Sequence, residues 1–255
     1  MTYRHVMRHD QIALQLYTVR RLAAVDLPGT LRAVAAAGYR AVEIAGLPET
    51  APGELAQLLD EAGLKSVASH EGIERLREDA GAVADRLTQL SCPRVIVPWI
   101  PEGDRPTPDD VRRFAAELGR FARTFADRGI RLAYHNHSFE FAPLDGTTVW
   151  DVLLAELAPE VELELDVYWA AVGGRDPVAE IRANADRVRL MHMKDRTPGP
   201  EPHDAPAGEG NLPFPEIIEA GRAAGVEWYI AEQDEPRDAL EDIASAYRYL
   251  ASVAG

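Results

Sequence analysis

The chain of 255 residues has a single cysteine, Cys92, and lacks long apolar runs. One cysteine excludes an intrachain disulfide, so we expect a reducing compartment and a buried structural thiol at Cys92. The polar N-terminus, MTYRHVMRHD, has no apolar segment of the kind that a signal peptide needs. No window holds 18 consecutive apolar residues, which argues against a transmembrane helix. Together these absences predict a cytoplasmic protein.

Positive charge is also scarce, with 27 Lys and Arg residues against 42 Asp and Glu residues. The formal net charge is −15 and the sequence pI is about 4.9. A surface this acidic repels phosphodiester backbones and anionic lipids, so nucleic acid and membranes are not expected partners. The same surface suits a protein that handles small molecules or a metal cation.

Short apolar strand candidates alternate along the chain with helix candidates rich in Ala, Leu and Arg. The predicted strands are 12–17, 41–45, 66–70, 95–97, 130–136, 161–166, 188–193 and 228–232. The predicted helices lie near 28–37, 51–62, 73–90, 108–128, 148–157, 177–185, 214–224 and 238–252. Glycines follow several of these helices and prolines open others, as is usual at helix ends and starts.

Eight strand–helix units of about 32 residues each match the (β/α)8 TIM barrel, an α/β fold, in number and length. A doubly wound sheet alternates in the same way, but it usually has fewer units at this length. The first strand is also not followed by the Gly-rich phosphate loop of that fold. Because no linker or low-complexity tract divides the sequence, we predict that residues 1–255 form one barrel domain.

Polar residues stand at the C-terminal ends of the predicted strands, the end at which TIM-barrel active sites lie. The fifth strand runs into His135, His137 and Glu140, and later strands close at Asp166, His192 and Glu232. Burying such groups without partners costs roughly several kcal/mol each. Their recurrence therefore indicates a functional site rather than core filling.

Four of these residues come from consecutive strand ends and are predicted to bind one divalent metal ion: Glu140, Asp166, His192 and Glu232. Three carboxylates and one imidazole suit Mn2+, Mg2+ or Co2+, with Zn2+ as a further candidate. Glu140 lies beyond the apolar part of its strand, so His135 or His137 could take its place. The competing interpretation, in which each is a surface charge, suits a single residue better than four at matching positions.

Further residues near the strand ends are candidate substrate contacts: Gln15, Glu43, His70, Trp99, Trp169, Arg175 and Glu209. The tryptophans could pack on the apolar face of a sugar, and Arg175 could meet an anionic group. Plain packing and ordinary turns are the structural alternatives. His135 and His137 are candidate proton shuttles, because an ordinary histidine titrates near neutral pH. Alternatively, the two could simply hydrogen-bond one another.

Seven segments carry a resemblance to the sugar phosphate isomerase/epimerase family of xylose isomerase-like TIM barrels. They are LQLYTVR (14–20), AVEIAG (41–46), YHNHSFEF (134–141), LDVYWA (165–170), MHMKD (191–195), GEG (208–210) and AEQD (231–234). The resemblance covers nearly the whole chain. It implies a divalent metal held by Glu, Asp, His and Glu at strands five to eight, which supports Asp166, His192 and Glu232 by position. Related barrels often place the first Glu on strand five itself, where this chain has His135.

The resemblance implies an isomerase or epimerase that removes a proton next to the carbonyl of a keto-sugar or cyclitol, through an enediolate. Glu140 and Glu232 are then the candidate acid–base pair, for which His135 or His137 could substitute. Lys194 could stabilise oxyanion charge. The resemblance fixes neither the substrate nor whether it is phosphorylated.

Other functions would use a similar barrel. A lyase or dehydratase acting on a keto-cyclitol or 3-keto-glycoside would use the same metal and bases. A related barrel that cleaves abasic DNA is disfavoured by the −15 charge. A non-catalytic sugar-binding barrel is disfavoured by the retained ligand residues. A small-molecule carbohydrate is therefore the expected partner, and a homo-oligomer is left open.

Overall fold

A closed barrel of eight parallel strands forms the centre of the computed structural model, which describes residues 7–254. The strands are β1 (Ile12–Gln15), β2 (Ala41–Ile44), β3 (Lys65–His70), β4 (Arg94–Val97), β5 (Arg131–His135), β6 (Glu162–Asp166), β7 (Val188–His192) and β8 (Trp228–Ala231). Each strand pairs with the next in sequence, and β1 closes the barrel on β8. The predicted (β/α)8 TIM barrel is confirmed.

Helices surround the barrel. They are α1 (Arg20–Ala23), α2 (Leu27–Ala36), α3 (Pro52–Ala62), α4 (Ile73–Gln89), α5 (Pro108–Ala126), α6 (Val149–Glu156), α7 (Val167–Val172), α8 (Pro177–Ala183), α9 (Phe214–Ala224) and α10 (Ala239–Val253). Two small hairpins also extend from loops, pairing Pro143–Leu144 with Thr147–Thr148 and Asp195–Arg196 with Asp204–Ala205.

The helix ends follow local sequence chemistry. Before α5, the Thr107 side chain accepts a hydrogen bond from the backbone N–H of Asp110, and Pro108 opens the helix. Helices α3 and α9 end at Gly63 and Gly225, which have φ angles of 70° and 78°. Glycine adopts this left-handed conformation without steric strain. These caps explain why the predicted helix ends lie close to the observed ones.

Several short helices were not predicted, and two of them follow directly from strand ends. Strand β1 ends at Gln15 rather than at residue 17, because Leu16–Val19 form a 3-10 helix whose first turn is capped by the Gln15 side chain. Helix α7 starts directly after β6, where the Asp166 side chain accepts from the backbone N–H of Trp169. Both helices begin at the carboxyl end of a strand, so they help to shape the mouth of the barrel.

The barrel interior changes in character from one end to the other. Its middle layer is apolar and made largely of small residues: Ala13, Ala41, Val67, Ala68, Ile96, Ala133, Leu190 and Ile230. At the N-terminal end, buried Arg94 pairs with Glu162 at 2.9 Å and with Glu227 at 2.6 Å. Because side chains alternate along a strand, Glu162, Glu164 and Asp166 all face this interior. The carboxylates of β6 therefore run from one end of the barrel to the other.

Cys92 is buried, as predicted, and its thiol donates to the carbonyl of Arg94 at 3.3 Å. Burial raises the pKa of this thiol to about 11, so it has little nucleophilic character. Across residues 7–254, no helix combines the length and apolarity that crossing a bilayer requires.

Candidate active site

A cavity of about 370 Å³ opens at the C-terminal end of the barrel. We call it the mouth cavity. It is lined by Tyr17, Ala45, Gly46, His70, Gly72, Pro98, Trp99, His135, His137, Lys194, Glu232 and Asp234. This is the end of the barrel at which the polar residues of the strand ends predicted a functional site.

Asp166, His192 and Glu232 form a compact group beside this cavity, which we call the outer cluster. One ligand-type atom from each lies within 4.8 Å of the others. The strand register brings them together, because Asp166 pairs with His192 across β6 and β7, and His192 pairs with Ile230 of β8. Glu232 lies just beyond the end of β8. The structure thus unites three of the four residues predicted to bind a metal.

The Asp166 carboxylate is fixed by local backbone contacts. Its Oδ1 accepts from the backbone N–H of Trp169 at 2.9 Å, and its own N–H donates to Asn136 Oδ1 at 3.0 Å. Its Oδ2 is buried without a hydrogen bond and lies 3.1 Å from Lys194 Nζ. Burial raises the pKa of Asp166 to about 6. One oxygen is therefore held by the backbone, whereas the other faces the Lys194 ammonium group and the rest of the outer cluster.

His192 joins the outer cluster to a deeper carboxylate. Its Nδ1 lies 2.7 Å from Glu232 Oε2, and its Nε2 lies 2.7 Å from Glu43 Oε2. Burial raises the pKa of Glu232, but the charges of Lys194 and His192 outweigh this effect and hold it well below its usual range. Glu232 is therefore an anion at neutral pH.

Lys194 is the buried cation at the mouth cavity. Its Nζ lies 2.8 Å from Glu232 Oε2, 2.8 Å from Asp234 Oδ2 and 3.1 Å from Asp166 Oδ2. Burial lowers the pKa of this lysine, but the three carboxylates outweigh burial and raise it well above its usual range. Lys194 can therefore donate hydrogen bonds to an oxyanion, but it cannot serve as a base.

A second group, which we call the inner cluster, lies deeper in the barrel and consists of Glu43, His70, His135 and Glu164. Glu164 Oε2 lies 2.9 Å from His70 Nε2 and 3.0 Å from His135 Nδ1. Glu43 Oε2 lies 3.2 Å from His70 Nε2 and accepts from Gln15 Nε2 at 2.7 Å. Both carboxylates are fully buried. Three imidazoles, counting His192, therefore surround two carboxylates.

Glu140 does not join either cluster. Its two oxygens accept from the Tyr134 hydroxyl at 2.7 Å and from the backbone N–H of His137 at 2.8 Å. Tyr134 packs outward against Phe114 of α5, whereas its neighbour His135 faces the barrel interior. Burial raises the pKa of Glu140 to about 7. The geometry fits a carboxylate that fixes the loop after β5.

His137 is held over the mouth cavity by this loop. Burial, and then the charge of Lys194, lower its pKa to about 4, so the imidazole is neutral at pH 7. Its Nδ1 is buried without a hydrogen-bond partner. A neutral imidazole is the form of histidine that can accept a proton, and this one lines the cavity.

The predicted substrate contacts lie at different places. His70 and Trp99 line the mouth cavity, and the Trp169 ring lies 5.5 Å from Lys194 Nζ and 5.7 Å from the His137 ring. Gln15 and Glu43 lie beneath the cavity. The remaining two are engaged elsewhere: Arg175 with Asp151 at 2.8 Å, and Glu209 with Arg237 at 3.2 Å. Their contact with substrate stays a prediction.

Sequence reasoning did not assign Glu164 or Asp234 to the site. The signal for Glu164 was its position two residues before Asp166 on the same strand, which places both side chains on one face. Asp234 lies two residues beyond Glu232, within the AEQD segment. Its ion pair with Lys194 depends on the path of the loop after β8, which local sequence does not specify.

The outer cluster fits a divalent cation. Two carboxylates and one imidazole are ligands that Mn2+, Co2+ and Zn2+ accept, and three protein ligands leave positions open for substrate. The buried Oδ2 of Asp166, which has no hydrogen bond, is directed at this group. The buried carboxylates of the two clusters outnumber Lys194, so they attract further positive charge, either as protons on the histidines or as a cation.

Comparison with known proteins gives a consistent fold. The family model described as xylose isomerase-like TIM barrel matches residues 31–253. Two crystal structures of sugar phosphate isomerase/epimerases from Parabacteroides distasonis ATCC 8503 are similar. One has 23% identity and a TM-score of 0.84, covering 99% of this chain and 96% of that chain. The other has 25% identity and a TM-score of 0.83, covering 94% and 96%.

A third similar structure is that of the IOLI protein with a binding zinc atom. It has 16% identity and a TM-score of 0.73, and the match covers 95% of this chain and 97% of that chain. At this identity the likeness concerns the fold. Among curated proteins, none matches the chain significantly.

Proposed function

The chain belongs to the xylose isomerase-like TIM barrel family, and from this premise we propose that it is a metal-dependent isomerase or epimerase of a keto-sugar or cyclitol. The observation that carries the proposal is the outer cluster beside the mouth cavity, with His137 and Lys194 facing the same space. This arrangement would supply a cation site, a neutral base and a fixed ammonium group at one point. Those are the groups that proton removal next to a carbonyl requires.

We assign Asp166, His192 and Glu232 as the residues that hold the cation, which would be Mn2+, Mg2+, Co2+ or Zn2+. When bound, it would act as a Lewis acid toward the carbonyl oxygen of the substrate. Glu43 Oε2, 2.7 Å from His192 Nε2, is placed to accept the Nε2–H. Nδ1 is then left unprotonated toward Asp166 and Glu232. A carboxylate behind a ligating histidine commonly fixes the tautomer in this way.

His137 is the proposed proton acceptor. It is neutral at pH 7 because its pKa is about 4, and it lines the cavity. Glu140 is the weaker candidate, since both of its oxygens are occupied by the loop that it holds. Glu232 is also a weaker candidate, because we assign its carboxylate to the cation and it is already paired with Lys194 at 2.8 Å. Lys194 would donate a hydrogen bond to the oxygen on which negative charge develops.

Trp99 and Trp169 are proposed to bind the apolar face of the substrate. Trp99 lines the cavity and is 44% exposed, which leaves its ring available. The Trp169 ring lies beside both Lys194 and His137. A ring next to the acid–base groups would orient the substrate and exclude water from the reacting carbon.

The test is a screen of keto-sugars and keto-cyclitols with metal-loaded protein in deuterated water, followed by NMR. An isomerase or epimerase should introduce deuterium at the carbon next to the carbonyl, whereas a lyase or dehydratase should release water or an aglycone. We expect His137→Asn to lower kcat by about 100- to 10,000-fold with a smaller change in KM. The control is His203→Asn, which alters a histidine outside the cavity lining. Full activity after chelation, or in His137→Asn, would contradict the proposal.

A further inference from the structure

The inner cluster has the dimensions of a cation site. The ligand-type atoms of His70, His135 and Glu164 lie within 4.8 Å of one another, and those of the two histidines lie 2.9 and 3.0 Å from Glu164 Oε2. In a tetrahedral zinc site with bonds of 2.0–2.1 Å, donor atoms lie about 3.3 Å apart. A shift of a few tenths of an ångström would therefore accommodate an ion.

Two buried oxygens of this region have no hydrogen-bond partner. They are Glu43 Oε1 and Glu164 Oε1, on carboxylates that are both 0% exposed. Leaving a charged oxygen buried and unpaired typically costs more than about 1–3 kcal/mol. A cation among these carboxylates would offset that cost.

The charges around the two clusters also favour a second cation. Five carboxylates face one ammonium group here: Glu43, Glu164, Asp166, Glu232 and Asp234 against Lys194. Burial lowers the pKa of His70, but Glu43 and Glu164 outweigh burial and raise it to about 10, so His70 carries a proton at pH 7 in the metal-free protein. A bound cation would displace that proton and supply the positive charge in its place. With the imidazoles neutral, as ligands must be, these groups carry four negative charges, of which one divalent cation leaves two and two divalent cations leave none. In a barrel interior with little solvent, neutrality is strongly favoured.

We propose that His70, His135 and Glu164 bind a second divalent cation, deeper in the barrel than the outer cluster. This proposal rests on the proposed function in one respect only, the assignment of the protons on His192. Its Nδ1 faces the outer cluster, so its Nε2 keeps a proton for Glu43 and does not bind the inner ion. Two imidazoles and one carboxylate suit Zn2+, Mn2+ or Fe2+. His70 and His135 also line the mouth cavity, so this ion would lie within reach of a bound substrate.

The experiment measures metal content rather than activity. Chelator-stripped protein is reloaded with Zn2+, dialysed against a weak competing chelator, and analysed for metal per chain. We expect about two equivalents in the wild type and about one in Glu164→Gln. Asp166→Asn should also retain about one, held by the inner cluster. The matched control is Glu162→Gln, which makes the same change on the same strand at the opposite end of the barrel and should retain two.

The outcomes separate the inner site from the proposed function. Suppose that the wild type binds one equivalent of zinc, which is lost in Asp166→Asn and kept in Glu164→Gln. This result would overturn the inner site while leaving the outer one. It would also mean that protonated histidines, rather than a cation, balance the negative charges of Glu43 and Glu164. One equivalent that is lost in Glu164→Gln and kept in Asp166→Asn would support the inner site and overturn the outer one. If Glu164→Gln does not fold, His70→Ala, at a side chain that is 12% exposed, must lose the same equivalent. Metal retained in His70→Ala would overturn the inner site.

Discussion

Lys194→Met tests the charge balance of the barrel most directly. The lysine side chain is 1% exposed, and its Nζ lies within 3.1 Å of three carboxylates. Breaking a buried ion pair by removing one partner costs about 3–5 kcal/mol, because the other partner is left as an uncompensated charge. For a chain of about this size, each kcal/mol of lost stability lowers the melting temperature by about 2–4 °C. The metal-free variant should therefore melt roughly 6–20 °C below the wild type.

A bound divalent cation should reduce this loss. It supplies positive charge to the same carboxylates, and it no longer repels a neighbouring ammonium group. We therefore expect less than half of the destabilisation in metal-loaded Lys194→Met. By thermodynamic linkage, the variant should also bind metal at least about tenfold more tightly, which corresponds to about 1.4 kcal/mol.

The assay is urea unfolding of the stripped and loaded forms, with a competition titration for metal affinity. Lys65→Met is the matched control, since it changes the chain's only other lysine. Lys65 is exposed and lies 4.8 Å from the Trp228 ring centre, so its loss should cost about 1 kcal/mol or less in both forms. Equal destabilisation of stripped and loaded Lys194→Met, or a loss below about 1 kcal/mol in the stripped form, would refute the reasoning.

Three further predictions concern stability and substrate binding. Burial raises the pKa of Glu140 from 4.5 to about 7, so folded protein retains this proton to a higher pH than unfolded protein. Wild-type unfolding free energy should therefore fall by roughly 3 kcal/mol as pH rises from 4.5 to 7, relative to Glu140→Gln in parallel urea titrations. Arg94→Met should cost about 3–5 kcal/mol in the same assay without changing metal content, because Arg94 is buried at the opposite end of the barrel. Trp99→Ala should raise KM several-fold more than it lowers kcat in steady-state kinetics, with metal content unchanged.

The fold was largely predictable from local sequence. Apolar runs of strand length, helix-boundary residues such as Pro108 and Gly63, and eight regular repeats are all short-range signals. They predicted the barrel because few folds accommodate so many alternating units. The polar strand ends likewise predicted that Asp166, His192 and Glu232 would meet, since parallel strands finish at one end of a barrel.

Only the tertiary structure shows which groups the Glu140 side chain contacts. In sequence it follows His135 and His137, and it resembles a ligand at the end of β5. The chain instead turns through a 3-10 helix at Phe139–Phe141, which directs the carboxylate to Tyr134 on the outer face of the strand. Local pattern gives the side on which each strand residue lies, but it does not give the path of the loop that follows.

The sequence by itself determined the barrel, the polar C-terminal ends of its strands and the residue types that gather there. The tertiary structure decided which of them touch. Glu43 and His192 are 149 positions apart and meet at 2.7 Å across the barrel, and Glu164 lies between His70 and His135 from two other strands. Such contacts depend on strand register and barrel closure, which arise from the packing of all eight strands together. No single segment of the sequence contains that information.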